Sequence, residues 1–230
     1  MFHWLEKHPF FFSVAVFVTI AFAGLVEVLP NFAEQSRPTI GTKPYSTLEL
    51  TGRHVYIKNS CNACHSQLIR PFKSETDRYG SYSLSGEYAY DRPFLWGSKR
   101  TGPDLMRIGN VRTTDWHENH MWDPAGVVPG SIMPAYRWMF TNVADVDTAY
   151  AEMVTINKVF NVPYNKPIPM KDGSTEIVAM AADLAGAQAE ALADAKIVAA
   201  DMKNQDVKDM VAAGQIPEIV ALIAYMNSLK

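Results

Sequence analysis

Hydrophobic and polar positions change pattern several times along the chain. Phe10–Val26 contains no charged residue; Glu27 interrupts, and Val28-Leu29 carry the apolar run to Pro30. As a helix, Phe10–Leu29 rises about 30 Å, the thickness of bilayer hydrocarbon. Ser13 and Thr19 can return their hydroxyls to helix carbonyls, and Trp4 stands where an interfacial aromatic belongs. Two readings compete: an uncleaved membrane anchor, and a signal peptide cleaved after Ala21-Phe22-Ala23. The run is longer than a usual signal core, which favours the anchor. Lys7 is the one full positive charge before it, so charge says little about orientation. Glu27, near the outer end, reads as solvated at headgroup level in preference to a polar contact with a membrane neighbour.

Residues 31–44 are polar, with Pro38, Gly41 and Pro44, and read as a linker. From Tyr45 the pattern turns helical: Leu48, Val55, Tyr56 and Ile57 supply apolar faces, Ser46 or Thr47 can cap, and the helix should end near Ser60. Residues 66–142 are rich in Gly, Pro and aromatics and read as long loops with short helices, a stretch too long for structureless coil unless it wraps something. Residues 143–157 look helical. Asn161–Ser174, with three prolines and a glycine, is a connector. Glu176–Met202 reads as an Ala-rich helix whose Asp183, Glu190 and Asp194 exclude a second span. Gly214–Pro217 leads into a last helix, Glu218–Leu229, with Ile219, Leu222, Ile223 and Met226 on one face. The prediction is a mostly α chain: a transmembrane anchor over 1–30, a linker over 31–44, and one domain over 45–230. Its core helices lie at about 45–60 and 218–229, with long loop insertions and an Ala-rich helical insertion at about 176–213.

Apolar residues at 48% and charged residues at 20% suit a packed globule, and a net charge of −3 argues against nucleic-acid binding. The chain has 2 Cys, too few for a disulfide scaffold. Both lie in Cys61-Asn62-Ala63-Cys64, followed by His65, which is the c-type haem attachment pattern. Two thiols on one turn can each add to one of two neighbouring haem vinyl groups, and the following His then falls under the iron. A thiol redox pair belongs near a βαβ pattern and a zinc site needs more ligands; neither is present.

For the opposite iron face there are 11 Met. Met133 stands apart, in the stiffened loop Pro129-Gly130-Ser131-Ile132-Met133-Pro134, and His/Met ligation raises the potential as electron transfer requires. The rivals are an open site, His117 and His120, in what reads as a surface helix, and Met139, which follows Trp138 and looks like core. Between the two candidate ligands, the Gly102-Pro103 turn can lend the Pro103 carbonyl to the His65 ring N–H, fixing the ring. Lys99, Arg100, Arg107 and Arg112 read as exposed positives able to pair with haem propionates or a partner, at least half of them being simply solvated.

Longer blocks extend these motifs: Cys61–Arg70 (CNACHSQLIR) with Pro71-Phe72, Arg78-Tyr79-Gly80, Tyr82-Ser83, Trp96–Leu105 (WGSKRTGPDL), Asp115-Trp116-His117, Asp123-Pro124, Val128–Tyr136 (VPGSIMPAY) and Ala221–Met226. On these residues the chain resembles the membrane-anchored mono-haem cytochrome c subunit (subunit II) of cbb3-type cytochrome c oxidases. The resemblance implies a single N-terminal span in the bacterial inner membrane and a c-type cytochrome domain in the periplasm. It implies one covalent haem c on Cys61 and Cys64, with His65 and Met133 as axial ligands. It also implies two partners, a catalytic haem-copper subunit and a di-haem cytochrome c subunit. The chain would then be an electron carrier with no catalytic residues of its own, passing electrons from the di-haem subunit or a soluble cytochrome c to haem b of the catalytic subunit, where oxygen is reduced and protons are pumped. Two departures stand out: Arg137 follows the VPGSIMPAY block where the family often has Pro, and residues 165–213 are longer and more Ala-rich than expected. Three alternatives remain open: a free-standing tethered cytochrome shuttle, which the long 66–103 insertion disfavours; a haem sensor or peroxidase with an open sixth position; and a thiol oxidoreductase without haem.

Overall fold

A computed structural model describes residues 2–32, 38–97 and 99–230. Residues 33–37 of the expected linker, and Ser98 of the Trp96–Leu105 block, lie outside the described residues. The chain divides into two units, 1–37 and 38–230. The described residues hold ten α-helices: α1 Phe2–Glu6, α2 Pro9–Phe32, α3 Thr47–Lys58, α4 Lys73–Tyr79, α5 Thr114–Trp122, α6 Pro124–Val127, α7 Val146–Phe160, α8 Leu184–Ala200, α9 Gln205–Ala212 and α10 Glu218–Ser228. The fold is therefore mostly α.

In the first unit, α2 presents a predominantly apolar stretch, Pro9–Leu29, of 21 residues, none of it buried within the protein. Ser13 donates to the Pro9 carbonyl (2.9 Å) and Thr19 to the Ala15 carbonyl (2.8 Å), so neither hydroxyl opposes an apolar surround. Trp4 stacks on His8 with ring centroids 4.2 Å apart. Such a helix fits single-pass membrane anchoring.

The second unit is built around the crossing of α3 and α10. Ser46 starts α3 with a capping box: its hydroxyl accepts from the Glu49 N–H (3.3 Å), and the Glu49 carboxylate accepts from the Ser46 N–H (2.8 Å). α10 is buried on nearly every side, which is why its sequence is apolar all round, and at 11 residues it is too short to cross a membrane. Gly52 is what lets the two helices meet: a Cβ there would overlap the Ala221 carbonyl and stand 2.8 Å from Tyr225 Cβ. Leu48, Val55 and Tyr56 of α3 share one core with Ile219–Met226, while Leu50 turns to a second core with Ala149, Met153 and Ile156 of α7. α3 is thus clamped from both sides, and its C-terminal end delivers the cysteine pair.

The tail departs from the expectation at one point. Glu176 does not open a helix. Thr175–Ile177 is a strand paired antiparallel with Pro167–Pro169, in the register Pro167↔Ile177, around a turn at Asp172-Gly173 where Gly173 has φ +83°. The helix begins only at Leu184, because Asp183 caps it through the Gly186 N–H (2.8 Å). α8 then buries Ala187, Ala191, Ala195 and Ala199, one residue per turn, so the small side chains bring it close to its neighbours.

Gly52→Ala would stabilise an ordinary exposed helix by about 1 kcal/mol. Here it is expected to destabilise the unit by about 3 kcal/mol, because the added methyl falls on backbone that cannot yield. Urea unfolding followed by circular dichroism measures the sign.

Candidate functional site

α3 ends at Lys58. Ser60 then adopts φ +55°, and Cys61–Ala63 form a single tight turn. The turn closes with the His65 N–H on the Cys61 carbonyl (2.9 Å), so both thiols and the imidazole leave one short piece of backbone. Cys61 is buried and Cys64 exposed, and no disulfide joins them. Burial pushes the Cys61 thiol up to about 12, far from the low-pKa setting of a reactive thiolate.

The His65 ring is held from below. Its Nδ1 lies 2.9 Å from the Pro103 carbonyl oxygen. A carbonyl only accepts, so Nδ1 carries the proton and Nε2 keeps its lone pair free. Burial lowers the His65 pKa, which favours the neutral ring. Gly102 supplies the necessary closeness: a Cβ there would stand 2.7 Å from both ring nitrogens. The Gly102 N–H bonds the Cys64 carbonyl (2.9 Å) and the Leu105 N–H bonds the Ser66 carbonyl (2.9 Å), so the two loops run locked together.

Asp104 completes that lock. Its buried carboxylate accepts from the Ser66 hydroxyl (2.6 Å), the Leu68 N–H (2.8 Å) and the Met106 N–H (2.9 Å). Arg100 spans the same ground, donating to the Ser66 hydroxyl and the Leu68 carbonyl and pairing with Glu75 at 2.7 Å. The Arg100 hydrogen bond is the main reason the Glu75 carboxyl is held at about 2; the Arg70 N–H and guanidinium add to it. Two of the expected free positives are thus corrected. Arg100 is largely enclosed, and Arg107 is paired with both carboxylate oxygens of Glu87 (2.9 and 2.8 Å). Each is claimed by an acid far off in sequence. Lys99 and Arg112 are exposed.

Met133 is half-buried and packs against the core that contains Cys61, as Leu105, Ile108 and Tyr136 also do. Gly130, at φ +80°, turns its loop, and the Tyr136 N–H ties the loop to the Met121 carbonyl (2.8 Å) at the end of α5. Burial, and then charge on Cys61 and Cys64, raise the Tyr136 pKa. Met139 is fully buried core. The surface-helix reading is also corrected for His117, while His120 is half-buried. On α5, His117 is 3% exposed and Glu118 4%. The Glu118 carboxylate accepts from the Lys203 and Asn204 N–H groups (2.7 Å each), which draws this face of the helix under the tail.

The donor set fits a covalent haem: two thiols on one turn, a neutral imidazole with a free Nε2, and a thioether packed against the core that contains one of the thiols. Sequence reasoning missed Asp104, Glu75 and Tyr136. Asp104 and Tyr136 lie inside the motif blocks, but nothing local says that Asp104 is buried or that Tyr136 packs against the core that contains Cys61.

A family model described as "Cytochrome C oxidase, mono-heme subunit/FixO" matches residues 2–230. The chain belongs to this family. It is therefore a mono-haem subunit of a cytochrome c oxidase, of the kind the motif blocks resemble, and membership implies one haem and oxidase partners. A comparison with individually curated proteins gives no match.

The pH dependence of stability follows from Glu75. Its folded pKa lies below the ordinary 4.5, so its stabilisation is complete above that value and is lost as pH falls toward about 2. Glu75→Gln is expected to cost about 2 kcal/mol at neutral pH by removing the Glu75–Arg100 ion pair, and to flatten the acid limb of the stability profile. Thermal melts at neutral pH and near pH ~3 compare the two proteins.

Proposed function

We propose that this chain carries one haem c joined through Cys61 and Cys64, with His65 and Met133 on opposite faces of the iron. In this reading it relays electrons from a di-haem cytochrome subunit, or a soluble cytochrome c, to haem b of the catalytic oxidase subunit. The domain stands in the periplasm on a single inner-membrane helix. The group supplies a one-electron iron couple when bound. The observation that carries the reading is the His65 ring, protonated at Nδ1 by the 2.9 Å bond to Pro103 and free at Nε2, on the turn that holds both thiols.

The chain's own residues do the rest. Pro103 and Gly102 fix the imidazole plane and leave its lone pair directed by a rigid loop. Asp104 and Arg100 hold that loop, so little reorganisation accompanies a change of charge at the site. Met133 contributes a soft, neutral donor, which favours the reduced state and raises the potential. The high pKa of the Cys61 thiol speaks against a dithiol oxidoreductase.

Met133→Ala is expected to keep the haem attached and to lower the midpoint potential by on the order of 0.1 V or more. Optical redox titration of the detergent-purified protein measures this, and an unchanged potential removes Met133 from the iron. Mass identification of chains that co-purify in mild detergent tests the partners. Haem-copper and di-haem subunits are expected, and a chain that purifies alone favours the free-standing shuttle.

A further inference from the structure

The loop that carries Met133 is shaped by short-range bonds and placed by longer ones. Within it, the Ser131 N–H bonds the Val128 carbonyl (3.0 Å) and the Met133 N–H bonds the Ser131 hydroxyl (3.2 Å), while Ile132, next to Met133, is 81% exposed. Such bonds set the loop's conformation and give it no hold on the rest of the domain. The hold comes from the turn that follows, Arg137–Phe140. Its Met139 and Phe140 are buried, and its other two side chains reach the ends of two different helices.

Trp138 reaches the end of α3. Its indole N–H donates to Asn59 Oδ1 (3.2 Å), across 79 positions of sequence. The Asn59 amide is already oriented: its Nδ2 donates to the Val55 carbonyl (2.8 Å), which turns the oxygen toward the indole. Trp138 is 45% exposed, so burial alone does not fix it. This bond does, together with the Tyr136 ring, whose centroid lies 5.1 Å away at 62° between planes. Arg137 reaches the end of α5. Its Nε donates to the Trp122 carbonyl (3.3 Å) and its guanidinium lies over the Trp122 ring (5.2 Å to the centroid), a tie that a proline at this position would not supply. Trp122 in turn meets Phe140 edge-on, with centroids 5.1 Å apart.

Trp138 lies five residues after Met133, and Asn59 two residues before Cys61. The indole–amide bond therefore joins the chain on either side of the candidate site. We propose that Trp138 is a positioning residue for Met133: by latching the turn after the loop to Asn59, it holds the thioether on its side of the haem and resists its displacement from the iron. The inference rests on the haem reading above and deepens it.

The test uses the full chain in detergent: wild type, Trp138→Phe, which keeps an aromatic ring and loses the N–H, and Asn59→Ala, which removes the acceptor. Ferric samples are titrated with imidazole, and the sulfur-to-iron charge-transfer band reports loss of the thioether. If the wild type holds no haem or lacks that band, the proposed function fails and this inference with it. A wild type that shows the band isolates the inference. Displacement needs the loop to open, so the apparent imidazole affinity follows the open fraction. Each variant is expected to raise that affinity about fivefold, the equivalent of one neutral hydrogen bond, and the double variant to go no further than either. Haem content, and the band before imidazole is added, are expected to match the wild type. An affinity unchanged in both variants overturns the proposal even if their melting temperatures fall, because the bond would then hold the domain and not the loop. Failure of both variants to fold overturns it on the same ground, and where one folds, that one decides.

Discussion

The bond between His65 Nδ1 and the Pro103 carbonyl is the constraint on which the site depends. An imidazole can offer either nitrogen to a metal, and which one it offers is decided by what the other is doing. Here the choice is made by backbone. The carbonyl belongs to a proline, whose φ is fixed, and it follows a glycine whose missing side chain gives the ring its only room. The result is a ring with one orientation and one free lone pair, set before any ligand arrives.

That backbone is itself held by charge. Asp104 gathers a hydroxyl and two N–H groups, and Arg100 bridges to Glu75, so the loops after Cys64 and before Leu105 move as one piece. Burying these groups would be unfavourable if any were unmatched, but the carboxylate of Asp104 and the guanidinium of Arg100 meet partners on several sides. On the other side, Gly52 lets α10 press against α3, and Tyr225 reaches from α10 to Gln67 (2.9 Å) while Tyr56 reaches from α3 to the His65 carbonyl (3.2 Å). The helix crossing and the buried charges therefore converge on the same short turn.

Much of this was legible in residues close together in the sequence. Ser46 or Thr47 before the apolar faces of Leu48, Val55 and Tyr56 announces a capped helix, the apolar positions of α10 announce a core one, and Phe10–Leu29 announces itself by length. What was not legible depends on partners far away. Thr175–Ile177 is too short for any period to show, and its pairing with Pro167–Pro169 is a tertiary fact of the Asp172-Gly173 turn. The α5 sequence looks solvated because its buried face is made of His117, Glu118 and Met121. Its buried face is met by partners distant in sequence: Met121 joins the core with α10, and Glu118 answers the start of α9, some 85 residues on. Arg100 and Arg107 read as free cations because Glu75 and Glu87 give no local sign of reaching them.

The central claim is that the two thiols, the imidazole and the thioether serve one covalently attached haem. The intact mass of the purified, denatured chain tests it most directly. The account predicts the polypeptide mass increased by one haem, with the increment located on the peptide that contains Cys61 and Cys64. The mass of the unmodified chain, with any colour extracted into organic solvent, would contradict it.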